Sequence, residues 1–238
     1  MARPWKAVLF DAGNTLIHVD FVRVAEALGR HGAPCRAEDL VRAELHARMA
    51  LDTAEVIARS NDRDRWWSYF GLICERVGIA DAAVRDAVLH QLRDDHRSRN
   101  LWNRLAEGAS ETLAALRARG LRIGLVSNSD GSIGLLAEQL GLAPHFETIV
   151  DSHAVGVEKP DPRIFAIALE RMGGLAPEEC VYVGDLYHVD VVGAERAGMT
   201  PVLIDPGSLH ADKPCRRIRS LNELEAVVLE PNAFKPLR

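Results

Sequence analysis

The sequence predicts an α/β protein in which a three-layer core with a parallel sheet carries an inserted helical bundle. Beyond Gly108, short apolar runs of strand type alternate with helical patterns, which is the order expected of parallel strands with right-handed crossovers. From about residue 21 to residue 100, only helical periodicity occurs. We therefore assign residues 1–17 and 101–238 to the core and residues 18–100 to the insertion.

The first element is a short apolar run over residues 6–10, followed at once by the carboxylate of Asp11. A run of this composition without helical periodicity predicts a strand buried on both faces, as in a parallel sheet. Because open α/β sheets bind ligands at the carboxyl ends of their strands, Asp11 is placed to meet one. Alternatively, Asp11 only caps the turn through Gly13 and Asn14. Taken alone, this element favours the turn cap.

The insertion is predicted to contain four helices joined by short turns. Apolar residues recur there at helical spacing, for instance at Val84, Val88 and Leu92. The four helices are predicted over residues 21–30, 37–50, 63–77 and 81–97.

The third of these helices carries an aromatic cluster of Trp66, Trp67 and Tyr69. At helical spacing, we expect at least one tryptophan to pack inside the bundle. The insertion is also rich in arginines, which could hold a second anionic group of a ligand. We expect most of them on a solvated face, among them Arg42, Arg48, Arg59, Arg63 and Arg65.

The rest of the chain alternates between the two types of element. Strands are predicted over residues 121–126, 146–150, 180–183 and 200–204, and helices over residues 110–119, 133–140, 162–172 and 190–197. Asp161 and Pro162 suit the N-cap and the first turn of one helix. Ser220 and Glu223 have the spacing of a capping box that would open the last helix.

Composition and charge exclude several classes of protein. The 238 residues are 47% hydrophobic and 26% charged, as in an ordinary soluble globular protein. The net charge of -5 and the lack of a basic block give no reason to expect nucleic acid. Neither a signal peptide nor a membrane-spanning run is expected. The cysteines are scattered, which predicts reduced thiols in a cytoplasmic protein: Cys35, Cys74, Cys180 and Cys215.

Polar residues follow several predicted strands at the point where each strand ends. Asp11 follows the first strand, Ser127-Asn128 follows another and Gly184-Asp185 a third, while Lys159 lies in a loop before a helix. The ends of parallel strands point the same way, so carboxylates, a hydroxyl, backbone amides and one ammonium group can converge. The sequence therefore predicts a site at this edge of the sheet.

With these residues in place, the sequence resembles the haloacid dehalogenase superfamily, whose members are mostly magnesium-dependent phosphatases. The resemblance covers nearly the whole chain and includes the four family motifs in order. They are residues 11–15, Ser127-Asn128, Lys159, and Gly184-Asp185 with Asp190. The resemblance implies a Rossmann-like core, and it implies that the helical insertion is a small α-helical cap that sets substrate choice.

The resemblance also implies a role for each motif residue. Asp11 would be the nucleophile that accepts a phosphoryl group. Asp11, the backbone carbonyl of Gly13 and Asp185 would bind Mg²⁺. Ser127 and the amide of Asn128 would bind the phosphoryl oxygens.

Three further residues complete the implied site. Lys159 would offset the developing charge, and Thr15 and Asp190 would support the site, Asp190 by orienting Lys159. The implied partner is a small phosphorylated substrate, and the implied state is a monomer or a homodimer.

The sequence departs from the family pattern at Gly13. Phosphatases of this family usually carry there a second aspartate, which protonates the leaving group and then activates water. Such an acid/base contributes about 10²- to 10⁴-fold in rate. Asn14, where the family usually has glycine, cannot replace it, because an amide does not titrate. His18, His46 and His188 are other possible proton donors, although each more often has a structural role.

Three hypotheses remain open. The first is a Mg²⁺-dependent hydrolase that favours esters with good leaving groups, and the second is a catalytically weak protein that binds a phosphorylated ligand or a partner. The third is a metal-independent 2-haloacid dehalogenase, against which Asp185 argues, because an extra carboxylate without a metal would repel an anionic substrate. The phosphonoacetaldehyde hydrolases need a lysine in the cap. The chain has lysines only at Lys6, Lys159, Lys213 and Lys235, outside the insertion.

Overall fold

The computed structural model of the protein describes residues 5–229. The chain folds into two compact units, one formed by the residues up to His18 and from Leu105 onward, the other by Val19–Arg104. These divisions lie one and four residues after the predicted ones. We refer to them as the sheet unit and the helical unit.

The strands of the described chain form two sheets. Their bounds are β1 (Ala7–Phe10), β2 (Ile17–Val19), β3 (Trp102–Leu105), β4 (Arg122–Ser127), β5 (Thr148–Asp151), β6 (Cys180–Gly184), β7 (Thr200–Ile204) and β8 (Arg216–Ile218). Six of them form one sheet in the order β5-β4-β1-β6-β7-β8, and every pair in it is parallel. Strands β2 and β3 form a separate two-stranded sheet. The predicted α/β fold with a parallel sheet is confirmed.

The helices follow the predicted pattern with two additions. Their bounds are α1 (Phe21–Arg30), α2 (Ala37–Leu51), α3 (Ala54–Arg59), α4 (Asp62–Arg76), α5 (Ala82–Ser98), α6 (Ala109–Ala118), α7 (Ile133–Gln139), α8 (Ser152–Val155), α9 (Pro162–Arg171), α10 (Val192–Arg196) and α11 (Leu224–Leu229). The short helices α3 and α8 were not predicted. None of the helices in the described part is both long and apolar enough to span a bilayer.

Strand β1 lies in the middle of the sheet unit. Val8, Leu9 and Phe10 are all fully buried, so both faces of the strand are covered. Strands β4 and β5 extend the sheet on one side of β1, and β6 to β8 extend it on the other. The direction in which successive strands are added therefore reverses beside β1. The crevice at such a switch is where ligands of open α/β sheets bind. Asp11 follows β1 at this point.

Of the capping predictions at two helix ends, one is confirmed and one is wrong. The Asp161 side chain accepts a hydrogen bond from the amide of Arg163, and Pro162 is the first residue of α9, as predicted. The prediction of a capping box at Ser220 is wrong, because the Ser220 side chain makes no capping hydrogen bond. A 3₁₀ turn over Leu221–Glu223 precedes α11, and the Glu223 carboxylate instead accepts from the amide of Arg219.

The helical unit has its own core. Trp66 and Tyr69 are buried in it and Trp67 packs against it, which agrees with the expected packing role. Two arginines differ from the expected solvated face. Arg65 is buried and donates to the carbonyl of Ser60. Arg48 is largely buried in an ion pair with Glu44. A carbonyl or a carboxylate beside each guanidinium reduces the free-energy cost of burying it.

Candidate active site

The turn after β1 presents Asp11 at the edge of the sheet. The Asp11 amide donates to the carbonyl of Val183 in β6, which continues the ladder by one residue. Asn14 has a φ of 53°, a left-handed conformation that asparagine tolerates better than most residues. Asparagine can therefore occupy this position, where the family that the sequence resembles usually has glycine. The Thr15 hydroxyl is buried in the same turn and has no hydrogen-bond partner among the described residues.

Lys159 is only 2% exposed, so it is not a solvated surface lysine. Its ammonium nitrogen lies 2.5 Å from Asp11 Oδ1 and 2.8 Å from Asp190 Oδ1. A third donor reaches the hydroxyl of Tyr182 at 2.9 Å. An ammonium group has three donors, and here each meets a protein oxygen. Lys159 therefore joins Asp11, which follows β1, to Tyr182 and Asp190 in and just after β6.

Asp190 lies in a π-helical turn over Tyr187–Val191 and is 1% exposed. Its second oxygen accepts hydrogen bonds from the amides of Asp185 and Leu186, at 3.1 and 2.9 Å. A Cβ at Gly184 would lie 2.3 Å from the Asp190 side chain, so only glycine allows this approach. Asp190 thus contacts both Lys159 and the backbone that carries Asp185, and its implied supporting role stays a prediction.

The second motif is tied to the third by a pair of hydrogen bonds. The Asn128 side chain accepts from the amide of Lys159 at 2.8 Å and donates to its carbonyl at 3.1 Å. Ser127, the last residue of β4, is 4% exposed, and its hydroxyl lies 3.4 Å from the carbonyl of Asn128. The structure therefore brings together the predicted residues of all four motifs within the sheet unit.

Burial and charge set the protonation of this cluster. Burial raises the pKa of the Asp11 carboxyl to about 6, and the adjacent Lys159 ammonium limits that rise. Burial alone would lower the pKa of Lys159, but the negative charges of Asp11 and Asp190 outweigh the effect of burial. The pKa of Lys159 therefore lies well above its ordinary value, and the lysine stays charged. At neutral pH, Asp11 is therefore a carboxylate beside a cation.

The carboxylates of Asp11, Asp185 and Asp190 form a compact group, in which one oxygen from each lies within 4.8 Å of the other two. All three residues are buried. The Lys159 ammonium group contacts two of the three carboxylates, those of Asp11 and Asp190. Carboxylate oxygens are the ligands that hard divalent cations prefer, so the donor set fits Mg²⁺. Gly13 lies in the Asp11 turn, where it pairs with Ile17.

Three polar residues of this region were not predicted. Tyr182 lies inside β6, and its hydroxyl bonds Lys159. Asp151 and Ser152 hold the loop after β4: the Ser152 hydroxyl bonds both the amide and the carbonyl of Ser129, and Asp151 accepts from the amide of Ile133. A tyrosine within an apolar central strand was a usable signal, because a buried phenol needs a hydrogen-bond partner.

Comparisons with known proteins agree with this geometry. The family model of the haloacid dehalogenase-like hydrolases matches residues 5–198. The haloacid dehalogenase-like hydrolase domain-containing protein 3 of Danio rerio is 31% identical over 95% of this chain and 97% of its own length. Its counterpart from Mus musculus is 38% identical over 62% of this chain, and the match spans only 59% of the mouse protein.

Two further proteins are similar over most of the chain. The glyceraldehyde 3-phosphate phosphatase of Methanopyrus kandleri is 32% identical over 88% of each protein. The crystal structure of the HAD-hydrolase YfnB from Bacillus subtilis, bound to magnesium, superposes with a TM-score of 0.68. The superposition covers 95% of this chain and 100% of the other, at 20% identity, and therefore supports the fold.

Proposed function

The chain belongs to the haloacid dehalogenase-like hydrolases, and from this membership we propose that it is a Mg²⁺-dependent phosphatase of a small phosphorylated metabolite. One observation carries the proposal: Asp11, Asp185 and Asp190 converge on one buried point, with Lys159 bonded to two of them. The Methanopyrus kandleri relative, a glyceraldehyde 3-phosphate phosphatase, supports a phosphate ester as the substrate class.

Asp11 is the proposed nucleophile. Its carboxylate oxygen attacks phosphorus, the bond between phosphorus and the leaving oxygen breaks, and the phosphoryl group becomes an aspartyl phosphate. Water then attacks phosphorus, which releases inorganic phosphate and restores the carboxylate. A Mg²⁺ ion held by Asp11, Asp185 and the Gly13 carbonyl would supply charge that reduces repulsion between the nucleophile and the phosphate.

The neighbouring residues bind and orient. Lys159 keeps the Asp11 carboxylate in place and adds a positive charge near the transferred group. Ser127 and the backbone amide of Asn128 are the proposed donors to the phosphoryl oxygens. Asp190 holds Lys159, and Thr15 belongs to the turn that presents Asp11.

Gly13 limits which substrates react. No side chain at this position can protonate the leaving oxygen, so that oxygen must depart as an anion or take a proton from elsewhere. Acyl and aryl phosphates leave readily as anions, whereas alkyl phosphates do not. We therefore propose substrates with good leaving groups. We further propose that the helical unit selects among them, and that the protein acts in the cytoplasm as a monomer or a homodimer.

The experiment that tests the proposal is hydrolysis of p-nitrophenyl phosphate and acetyl phosphate, with Mg²⁺ or with EDTA. We expect metal-dependent turnover in the wild type and none in Asp11→Asn. Asp212→Asn is the matched control, because the Asp212 side chain is exposed and lies outside the site. We expect it to keep full activity.

Two outcomes would contradict the proposal. Folded protein that binds Mg²⁺ but turns over neither substrate would favour a protein that binds a phosphorylated ligand or a partner. Release of halide from a 2-haloacid without any metal would favour the dehalogenase.

A further inference from the structure

The Tyr182 hydroxyl belongs to the buried cluster and links β6 to β4. The residue is fully buried in β6, and its oxygen accepts a hydrogen bond from Lys159 at 2.9 Å. The same hydroxyl donates its one hydrogen to the carbonyl of Val126 in β4, also at 2.9 Å, a closer acceptor than Asp190 Oδ1 at 3.5 Å. One hydroxyl thus connects the lysine to the backbone just before Ser127.

The orientation of this hydroxyl is held by its surroundings. The Tyr182 ring packs edge-on against Phe165 with the ring centroids 4.8 Å apart. Burial raises the pKa of Tyr182 well above its ordinary value, so the phenol remains a neutral donor and acceptor. A hydroxyl whose single hydrogen points at a strand carbonyl presents its lone pairs in a fixed direction, here towards Lys159.

This third contact differs in kind from the other two. Asp11 and Asp190 both attract the Lys159 ammonium by charge, and the two attractions compete. With only these two acceptors, one donor of the ammonium would have no partner in a buried place, and the group could rotate and move towards either carboxylate. The Tyr182 oxygen takes that donor and so restricts the position of the nitrogen.

We propose that Tyr182 is a positioning residue, whose hydroxyl fixes the Lys159 ammonium on the Asp11 carboxylate and ties it to the end of β4. Its effect on rate depends on the proposed phosphatase function, whereas its hold on Lys159 does not. One measurement tests the hold of Tyr182 on Lys159, and a second tests the effect of Tyr182 on rate.

The first measurement is the crystal structure of Tyr182→Phe beside that of the wild type. We expect the Lys159 nitrogen to leave its present position between Asp11 and Asp190, while the phenyl ring keeps its packing against Phe165. An unmoved nitrogen would overturn the proposal, whatever the activity of the variant.

The second measurement is steady-state turnover of p-nitrophenyl phosphate with saturating Mg²⁺. We expect kcat of Tyr182→Phe to fall about tenfold, as for the loss of one hydrogen bond to a charged group. We expect KM to change by less than about twofold, because the hydroxyl does not touch the substrate. An unchanged kcat together with a displaced lysine would also overturn the positioning role.

Tyr69→Phe is the matched control. Tyr69 is a buried tyrosine of the helical unit whose hydroxyl donates to Glu44 at 3.2 Å. We expect this variant to lose comparable stability while Lys159 stays in place and kcat is retained. If Tyr69→Phe lowers kcat as much as Tyr182→Phe, the effect is one of general stability and the proposal fails. If the wild type has no turnover at all, the proposed function fails, and the crystal structures alone decide whether Tyr182 holds Lys159.

Discussion

Two buried ionic networks, one in each unit, are built from similar groups. In the helical unit, Glu44 of α2 is 6% exposed and lies 2.7 Å from Arg48, one turn further along the same helix. The Tyr69 hydroxyl of α4 donates to the same carboxylate. One acid, one base and one phenol are thus combined around a single carboxylate.

The network of the sheet unit has the same types of group in another proportion. Lys159 contacts Tyr182 and two of three clustered carboxylates, which come from more than one element. Asp11 follows β1, whereas Asp185 and Asp190 follow β6. Three carboxylates buried at one point cost free energy unless cations or a ligand compensate. Burial and ion pairing therefore do not mark a site by themselves, whereas carboxylates that converge from separate elements do.

The largest effect is expected from adding a group to the sheet-unit network. Gly13→Asp should raise kcat/KM for an alkyl phosphate by about 10²- to 10⁴-fold, because it supplies an acid/base beside the nucleophile. Asn14→Asp adds the same charge one residue away and should give no such rise. No gain in Gly13→Asp that still binds Mg²⁺ would show that more than the acid/base is missing.

Removing the cation from each network should separate catalysis from stability. Lys159→Met should lower kcat/KM by about 10²- to 10³-fold, as for loss of a transition-state charge partner. Arg48→Met leaves Glu44 buried without its cation and should cost about 3–5 kcal/mol of unfolding free energy, with kcat/KM nearly unchanged. Urea unfolding and turnover assays measure both. An equal loss of rate in the two variants would remove the distinction between the networks.

Magnesium should stabilise only through the network in which three carboxylates converge. At 100 times its Kd, Mg²⁺ should add about 2.7 kcal/mol to the unfolding free energy of the wild type. Asp185→Asn should abolish this gain, whereas Glu44→Gln should retain it while lowering the baseline stability. Thermal unfolding with Mg²⁺ and with EDTA tests this. A gain that survives Asp185→Asn would place the cation elsewhere.

The smallest effect expected is on the pH profile. Burial raises the pKa of Asp11 to about 6, so the neutral, non-nucleophilic acid persists to a higher pH than in an exposed aspartate. We expect kcat/KM to fall about tenfold per unit as the pH drops below about 6, and to be level above it. Saturating Mg²⁺ favours the carboxylate and should move this limb to lower pH. A profile that stays flat down to pH 5 at limiting Mg²⁺ would contradict it.

Elements with an apolar run or a clear helical period were predictable, and the others were not. The strand β7 and the helix α1 have the predicted bounds, because each has a clear apolar pattern and turn residues at its ends. Strands β1 and β5 were predicted although they have only four residues, whereas β2, β3 and β8 were missed because polar residues interrupt them. The capping box failed for a related reason: the spacing of Ser220 and Glu223 is local, but the turn that follows is 3₁₀.

The same distinction applies to the site. Local patterns predicted which residues would reach this edge of the sheet, because Asp11, Lys159 and Asp185 stand where strands end or helices begin. The pairing of these groups depends on the tertiary structure. The order of the strands sets β1 between β4 and β6, and this places Tyr182 against the lysine of a distant loop. Local periodicity shows which residues reach the edge of a sheet, but hydrogen-bond partners from separate strands are chosen by strand order, which no single segment encodes.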